Sequence, residues 1–266
     1  MPPTIGVFDS GFGGLTVLRE LRTVLPGAGY LYFGDTAHLP YGAKSVRTVV
    51  KYAVASAHFL EQHGIEMLVV ACNTATALAL DEIRAAVSVP VVGVVEPGSQ
   101  RAAQISKTKK VAVVATEATV ASHAYRKALH GLGLEATEKA CPLFVPLVEE
   151  GWVEHPVTER VAHIYVDELF RNESGARDAD VLVLGCTHYP LIRPLLRRVV
   201  PAQVEIVDSA ESTAARVSEL LGMNCGQGGR GSVRCYATDS VEKFRRLGEK
   251  FLGCAIESVE LIDIEK

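Results

Sequence analysis

Two cysteines, Cys72 and Cys186, stand in closely matching sequence contexts 114 residues apart. Each follows an apolar run that is typical of a buried strand, in VVACNTATAL and in VLVLGCTHYPLI. Helix-capping residues come directly after each thiol: Asn73 and Thr74 after the first, and Thr187 after the second. Because the partial positive charge at a helix N-terminus favours a thiolate, both side chains are candidates for chemistry.

Three interpretations of these thiols are open at this point. They could be core cysteines, since free cysteine is often buried. Cys186 with His188 could form a thiol hydrolase, but the two lie on the same turn and Cys72 would then have no role. As a pair, one thiol could remove a proton from one face of a substrate carbon while the other returns a proton to the opposite face. Thiols suit such acid–base work because about 3% of a free thiol is ionised at pH 7.

Polar residues follow other predicted strands, where the ligands of parallel α/β proteins bind. Asp9 and Ser10 open the turn DSGFGG, which fits neither the dinucleotide nor the phosphate-loop pattern. The turn offers free amides to an anionic group, although Asp9 could also be a simple helix cap. The sequence PYG, with Tyr41 and Gly42, predicts either a turn that displays an aromatic ring at its tip or an ordinary surface loop. Further candidates are the hydroxyls of Thr116 and Thr119 and the acid Glu149, which could equally be a solvated helix end.

Short apolar runs alternate with longer helical patterns, which predicts an α/β fold of mostly parallel sheets flanked by helices. The first-strand motif and the cysteine motif each recur just over 100 residues later, so we expect two similar halves. The predicted strands are Thr4–Phe8, Tyr30–Phe33, Met67–Ala71, Val91–Val95, Val111–Ala115, Val181–Leu184, Val204–Val207, Ser232–Ala237 and the edge strand Ser258–Ile264. The predicted helices are Leu15–Val24, Val46–His63, Ala75–Ala86, Val120–His130, Val157–Phe170, Ser212–Leu221 and Val241–Phe251, and Asn224–Gly231 is predicted to be a loop.

The composition excludes several classes of protein. With 266 residues, a net charge of −4 and basic residues only in short groups, we expect no nucleic-acid partner. The chain has no run of about 18 apolar residues and no basic-then-apolar N-terminus, so we expect no membrane span and no signal peptide. Six cysteines without a C-x-x-C pair argue against a metal site or a disulfide framework and favour a reducing, cytoplasmic setting. No cofactor fingerprint or Schiff-base lysine motif is present.

The motifs resemble, in the same order, those of the cofactor-independent glutamate racemases of the Asp/Glu racemase superfamily. The matching blocks are GVFDSGFGGLTVL, PYG, ACNTATA, PLFVPLVEEG and GCTHYPLI, and they extend over essentially the whole chain. The pair ACNTATA and GCTHYP is highly specific. The resemblance implies a bacterial isomerase that interconverts L- and D-glutamate without cofactor or metal. Its D-glutamate would serve peptidoglycan synthesis, and hence cell-wall biogenesis and cell shape.

The resemblance also implies roles for individual residues. Cys72 would be the proton donor and acceptor for the D enantiomer, and Cys186 for the L enantiomer. Asp9 and His188 would assist their respective thiols, and Glu149 would help His188. The implied substrate contacts are Asp9, Ser10, Tyr41, Gly42, Asn73, Thr74, Thr116, Thr119, Thr187 and His188.

Two pseudo-twofold-related domains with the active site at their interface are expected. The first would comprise residues 1–95 and 208–266, and the second residues 96–207. A homodimer is left open, and control by a cell-wall precursor through an N-terminal extension is not expected. The alternatives are a racemase of aspartate or a related acid and, from another class, an amino-acid binding protein that clamps its ligand between two lobes.

The two-thiol interpretation predicts that Cys72→Ser and Cys186→Ser each abolish most racemisation. General acid–base catalysis contributes about 10²–10⁴-fold to a rate, so each variant should lose at least about 100-fold in turnover of glutamate. Racemase activity within about tenfold of the wild type in either variant would contradict the two-thiol mechanism.

Overall fold

A computed structural model of the chain describes residues 2–171, 178–222 and 231–264, in which strands and helices alternate. The strands are β1 (Thr4–Asp9), β2 (Gly29–Gly34), β3 (Met67–Val70), β4 (Val91–Gly93), β5 (Lys110–Ala115), β6 (Glu135–Ala140), β7 (Val181–Gly185), β8 (Glu205–Asp208), β9 (Val233–Ala237) and β10 (Val259–Leu261). The α-helices are α1 (Leu15–Val24), α2 (Val46–Gln62), α3 (Asn73–Ala86), α4 (Val95–Ile105), α5 (Glu117–Ser122), α6 (Ala124–Gly131), α7 (Phe144–Glu149), α8 (Pro156–Arg171), α9 (Arg193–Val199), α10 (Ser209–Leu221) and α11 (Val241–Leu252). Within these ranges no helix has the length and apolarity needed to cross a bilayer.

The strands form two parallel sheets, which confirms the predicted α/β fold. One sheet has six strands in the order β10-β9-β2-β1-β3-β4, and the other has four in the order β6-β5-β7-β8. Every strand pairing in both sheets is parallel. We call the two sheets with their helices the first and second lobes. The residue boundaries of the two predicted domains remain a prediction.

The internal repeat seen in the sequence corresponds to a repeat in strand order. The run β2-β1-β3-β4 of the first lobe matches β6-β5-β7-β8 of the second, position by position. Asp9 ends β1 and Thr116 follows β5, while Cys72 comes two residues after the end of β3 and Cys186 directly after β7. In parallel sheets, ligands bind beyond the carboxyl ends of the strands. The two thiols therefore occupy equivalent places, one in each lobe.

A continuous apolar core joins the lobes. Ile5 and Val7 of β1 belong to the same cluster of buried side chains as Leu182 and Leu184 of β7. The opposite face of β1, with Phe8, packs in a second cluster against α2 and α3. Because close-packed interiors resist small displacements, this shared core fixes the strand ends of one lobe relative to those of the other.

The predicted helix Val120–His130 is divided into two. His123 has a left-handed backbone with φ of 55°, and it separates α5 from α6. Its ring nitrogen Nδ1 lies 2.8 Å from Glu138 Oε2 on β6, and Ser122 Oγ accepts a hydrogen bond from the N–H of Ala124 at 3.1 Å. These side-chain bonds compensate for the interrupted helical ladder.

Four elements were not among those predicted, namely β6, α4, α7 and α9, and the predicted strands Val91–Val95 and Ser258–Ile264 are too long. Strand β6 reads EATEKA and has no apolar run, because it is a half-exposed edge strand paired only with β5. The strand predicted to reach Val95 ends at Gly93, and the unpredicted α4 begins at Val95. Pro97 is tolerated there because it lies in the first turn of the helix. The predicted loop Asn224–Gly231 lies outside the described residues except for its last position.

Candidate active site

The carboxyl ends of the strands in the two lobes enclose a cavity of about 170 Å³. Both Cys72 and Cys186 line it, and each is 6% exposed. A cavity smaller than the usual 300–1,000 Å³ of drug-sized ligands suits a molecule no larger than an amino acid. The other lining residues are Ser10, Pro40, Tyr41, Gly42, Ala43, Asn73, Thr74, Thr116, Glu117, Pro142, Val145, Pro146, Thr187 and His188.

Most of the residues singled out in the sequence therefore meet at one place. Three do not line the cavity but lie behind it: Asp9, Thr119 and Glu149. Asp9 acts electrostatically on Cys72, Thr119 bonds to lining hydroxyls, and Glu149 pairs with a lining histidine. The structure thus separates a layer that faces the cavity from a layer that supports it.

Cys72 occupies the N-cap position of α3. Its Sγ accepts a hydrogen bond from the N–H of Ala75 at 3.4 Å and lies 3.5 Å from Ser10 Oγ. The helix position alone would favour a thiolate. Burial and the negative charge of Asp9 outweigh it, however, and raise the pKa of Cys72 to about 12. Cys72 therefore holds its proton at neutral pH.

Asp9 is a buried carboxylate at the end of β1. Its Oδ2 accepts a hydrogen bond from the N–H of Gly11 at 2.9 Å, whereas Oδ1 has no partner among the described residues. Burial raises the pKa of Asp9, and the positive charge of His188 and the N–H groups of the glycine turn only partly oppose that rise. Asp9 is not the helix cap that the sequence also allowed, because the N-cap of α1 is Gly14 without a side-chain hydrogen bond; its negative charge acts on Cys72 instead.

Cys186 has a different electrostatic environment. His188 Nδ1 lies 4.0 Å from Cys186 Sγ, and His188 Nε2 lies 3.4 Å from Glu149 Oε1, which is ion-pair distance without hydrogen-bond geometry. Burial alone would lower the pKa of His188, but Cys186 and Glu149 together raise it to about 10. His188 is therefore an imidazolium at neutral pH.

Residues of the first lobe hold His188 and Glu149 in place. The His188 ring lies between Phe12 and Phe251, with ring centroids 6.0 Å and 4.9 Å away. Lys243 of α11 reaches across the boundary between the two lobes, which we call the seam, and its Nζ lies 3.5 Å from Glu149 Oε2. Burial would raise the pKa of Glu149, but the positive charges of His188 and Lys243 prevail and lower it.

Two glycines allow the lobes to approach each other closely. A Cβ on Gly13 would lie 2.3 Å from Thr187 Oγ1 and 2.7 Å from His188 Nδ1, so any side chain there would displace the second lobe. A Cβ on Gly42 would lie 3.0 Å from Thr116 Cβ. Close approach of the backbone, and not a positive φ, is therefore the reason for a glycine at position 13, since Gly13 has a negative φ.

Three threonine hydroxyls form a triangle across the seam. Thr74 Oγ1 of the first lobe lies 3.0 Å from Thr116 Oγ1 and 3.2 Å from Thr119 Oγ1, which are themselves 2.9 Å apart. A hydroxyl can donate one hydrogen bond and accept two, so the triangle can redirect its donors when an anionic group enters. Thr74 and Thr116 line the cavity directly.

The expectation of an aromatic ring displayed at a loop tip is wrong for Tyr41. The side chain is 1% exposed, and its hydroxyl donates to Asp35 Oδ2 at 2.6 Å. The buried Asp35 carboxylate also accepts from Thr238 Oγ1 at 2.9 Å and lies 2.7 Å from His38 Nδ1. Tyr41 thus lines the cavity as part of a fixed network, because a buried carboxylate must be hydrogen-bonded.

Sequence reasoning missed three residues that support the site: Asp35, Lys243 and Tyr125. Asp35 follows β2 in the same polar loop as Tyr41, and its position at a strand end was a usable signal. Lys243 stands in an amphipathic helix with other basic residues, so nothing local distinguishes it. Tyr125 is a single aromatic residue on α6, and its contact with Asn73 arises only from the packing of the lobes. Within the described ranges no group of three His, Cys, Asp or Glu residues could hold a metal ion.

The fold and the shared cavity are those of a two-lobed α/β isomerase of amino acids. Residues 12–217 match the Asp/Glu/Hydantoin racemase family. The chain is 57% identical to a glutamate racemase of Koribacter versatilis, over 98% of both chains. Its fold matches a crystal structure of a glutamate racemase isoform from Bacillus anthracis with a TM-score of 0.91 at 36% identity, over 98% of this chain and 97% of that one.

A second solved structure is a glutamate racemase from Francisella tularensis in complex with D-glutamate. The TM-score is 0.89 at 34% identity, over 99% of this chain and 98% of that one. The chain belongs to the Asp/Glu/Hydantoin racemase family. The predictions of an α/β fold and of an amino-acid racemase are confirmed.

The His188–Glu149 ion pair predicts that Glu149→Gln lowers the free energy of unfolding by an amount that depends on pH. His188 has a pKa of about 10 in the folded protein against 6.5 when unperturbed, so its contribution is full below pH 6.5 and is lost as the pH rises through 10. The lowered pKa of Glu149 adds stability above its unperturbed value of 4.5, and this is lost on acidification. Glu149→Gln should therefore cost about 1–2 kcal/mol of unfolding free energy near pH 6 and clearly less above pH 10, measured by urea titration.

The exposed neighbour provides the control for this measurement. Glu150→Gln removes the same charge one residue along the chain, and it should leave the pH dependence of stability unchanged. An NMR titration of the His188 ring should also show its pKa falling in Glu149→Gln but not in Glu150→Gln. Equal stability costs at both pH values, or an unchanged His188 pKa, would show that Glu149 does not support the imidazolium.

Proposed function

We propose that this protein is a glutamate racemase that inverts the α-carbon of glutamate with two thiols and no cofactor. The observation that carries the proposal is that Cys72 and Cys186 line one cavity, with the negatively charged Asp9 near the first thiol and the positively charged His188 beside the second. The high identity to glutamate racemases supports the choice of glutamate. The roles of individual residues given below belong to the proposal.

In the L-to-D direction, Cys186 acts as the base and Cys72 as the acid. The Cys186 thiolate takes the α-proton of L-glutamate and becomes a thiol, leaving a carbanion at Cα. The Cys72 thiol then gives its proton to the opposite face of the carbanion, which yields D-glutamate and a Cys72 thiolate. The reverse reaction starts from this exchanged pair, so Cys72 serves the D enantiomer and Cys186 the L enantiomer.

The charges around the two thiols support this assignment for the unliganded protein. The imidazolium of His188 lies next to the thiol of Cys186, whereas burial and Asp9 keep Cys72 protonated. A base and an acid must coexist for the L-to-D reaction, and this arrangement supplies one of each. We propose that Asp9 assists Cys72 and that His188 assists Cys186. Glu149 would keep His188 in its charged form.

Substrate binding is assigned to the polar lining of the cavity. The hydroxyls of Ser10, Thr74, Thr116 and Thr187, the side chain of Asn73 and the free amides of the strand ends would hold the two carboxylates of glutamate. Tyr41 and Gly42 form one wall, Thr119 supports the threonine triangle, and His188 lies next to the bound α-carbon. The two thiols are each only 6% exposed, and electrostatic interactions with buried groups are stronger than with groups in water.

The proposed biological role is the supply of D-glutamate for peptidoglycan synthesis in the bacterial cytoplasm. Similarity to bacterial glutamate racemases supports it. Whether the working form is a monomer or a homodimer is an open part of the proposal, and sedimentation of the purified protein decides it.

Turnover measurements with two amino acids test the substrate assignment. The purified protein should convert L-glutamate to a racemic mixture, followed by circular dichroism and checked by chiral chromatography. Because one methylene group in a fitted pocket is worth about 10–200-fold, kcat/KM for glutamate should exceed that for aspartate by at least about tenfold.

The other outcomes separate the competing functions. Faster racemisation of L-aspartate than of L-glutamate would show that aspartate is the preferred substrate. Binding of glutamate in calorimetry without any loss of optical rotation would indicate an amino-acid binding protein. Cys235→Ser is the control for the Cys72→Ser and Cys186→Ser variants. Cys235 is a buried thiol that does not line the cavity, so its replacement should leave turnover unchanged.

A further inference from the structure

The side-chain amide of Asn73 is only half satisfied. Asn73 is 3% exposed and lines the cavity as the first residue of α3. Its Oδ1 accepts a hydrogen bond at 2.7 Å from the hydroxyl of Tyr125, whereas its Nδ2 is buried and has no partner among the described residues. A buried N–H without a partner costs about 1–3 kcal/mol, so its presence calls for a reason such as a ligand.

Tyr125 reaches Asn73 from the other lobe. It lies on α6, is fully buried and does not line the cavity. A glycine on β7 leaves room for it, since a Cβ on Gly185 would lie 2.9 Å from Tyr125 Cε2. Burial raises the pKa of Tyr125 well beyond the working range, so the hydroxyl keeps its proton and remains a donor.

A hydrogen bond to Oδ1 determines which way the amide faces. An amide has an acceptor at one end and two donors at the other, and the two orientations differ by a half turn about the last side-chain bond. Because the hydroxyl of Tyr125 donates to Oδ1, Nδ2 is the end of the amide that is left without a partner, on a residue that lines the cavity. The reversed amide would present an oxygen there, which would repel a carboxylate.

We propose that Tyr125 is a positioning residue that orients the Asn73 amide so that Nδ2 donates to a carboxylate oxygen of the bound amino acid. The inference rests on the proposed racemase function and adds a group that the motifs do not contain. Tyr125 does not touch the substrate, and it acts only through Asn73. Since donor and acceptor belong to different lobes, the oriented amide exists only while the lobes keep their register.

Tyr125→Phe removes the hydroxyl and keeps the ring. Loss of one oriented hydrogen bond to a charged group should raise KM for both L- and D-glutamate about tenfold, with kcat within about threefold of the wild type. Tyr30→Phe is the matched control: Tyr30 is equally buried, its hydroxyl donates to the carbonyl oxygens of Leu21 and Leu25, and it does not line the cavity. That variant should leave KM unchanged.

A double-mutant cycle distinguishes positioning from a general structural effect. In an Asn73→Ala background the amide is absent, so adding Tyr125→Phe should change KM by less than about twofold. The proposal would be overturned if the rise in KM of the double variant equalled the product of the rises in the two single variants. An unchanged KM in Tyr125→Phe would also overturn it.

Asn73→Asp gives a second test that does not depend on the folding of Tyr125→Phe. The aspartate still offers an oxygen to Tyr125, but it places a second oxygen where Nδ2 stood, so KM should rise at least about 30-fold with the denaturation midpoint near that of the wild type. An unchanged KM would overturn the proposal by this route as well. Absence of racemisation in the wild type would instead refute the proposed function, so the two failures are distinguishable.

Discussion

Burial of two thiols on one small cavity is the constraint on which the rest of this site depends. Burial alone disfavours a thiolate, and it raises the pKa of Cys72 to about 12 together with Asp9. A site in which both thiols kept their protons would have no base. The charges beside the two thiols differ in sign, since the imidazolium of His188 lies next to Cys186 and the carboxylate of Asp9 acts on Cys72. In the proposed mechanism, this difference between the two sides, rather than either cysteine alone, provides one base and one acid.

Maintaining that difference requires groups from both lobes. The buried His188 remains positively charged partly because it pairs with Glu149. Glu149 in turn pairs with Lys243 from the opposite lobe. The short contacts at Gly13 and the continuous apolar core keep these groups in register. The charged groups near Cys186 are therefore held in position by the packing of the two lobes.

Local patterns predicted the repeated part of the architecture well. Uninterrupted apolar strands such as Val181–Gly185 are buried on both faces, so their composition identifies them. The recurrence of polar strand ends then located Asp9, Cys72, Thr116 and Cys186 in equivalent positions. Strand β6 was missed because a half-exposed edge strand needs no apolar residues.

The supporting groups could not be predicted in the same way. Lys243 and Tyr125 stand in helices whose local sequence contains no sign of a site, and their roles come from contacts with residues 94 and 52 positions away. The buried position of Tyr41 depends likewise on Asp35, whose hydrogen bonds join a loop of the first lobe to Thr238. Such contacts are set by tertiary packing, which neither periodicity nor motif spacing records.

The location of deuterium after partial conversion tests the two-thiol account most directly. L-glutamate is incubated with the protein in D₂O, the reaction is stopped at low conversion, and the enantiomers are separated and analysed by mass spectrometry. With two separate thiols, D-glutamate should carry solvent deuterium at Cα while the remaining L-glutamate keeps its original proton. Product that retains the substrate proton, or deuterium entering the remaining L-glutamate as fast as D-glutamate forms, would show that a single group serves both faces and would contradict the account.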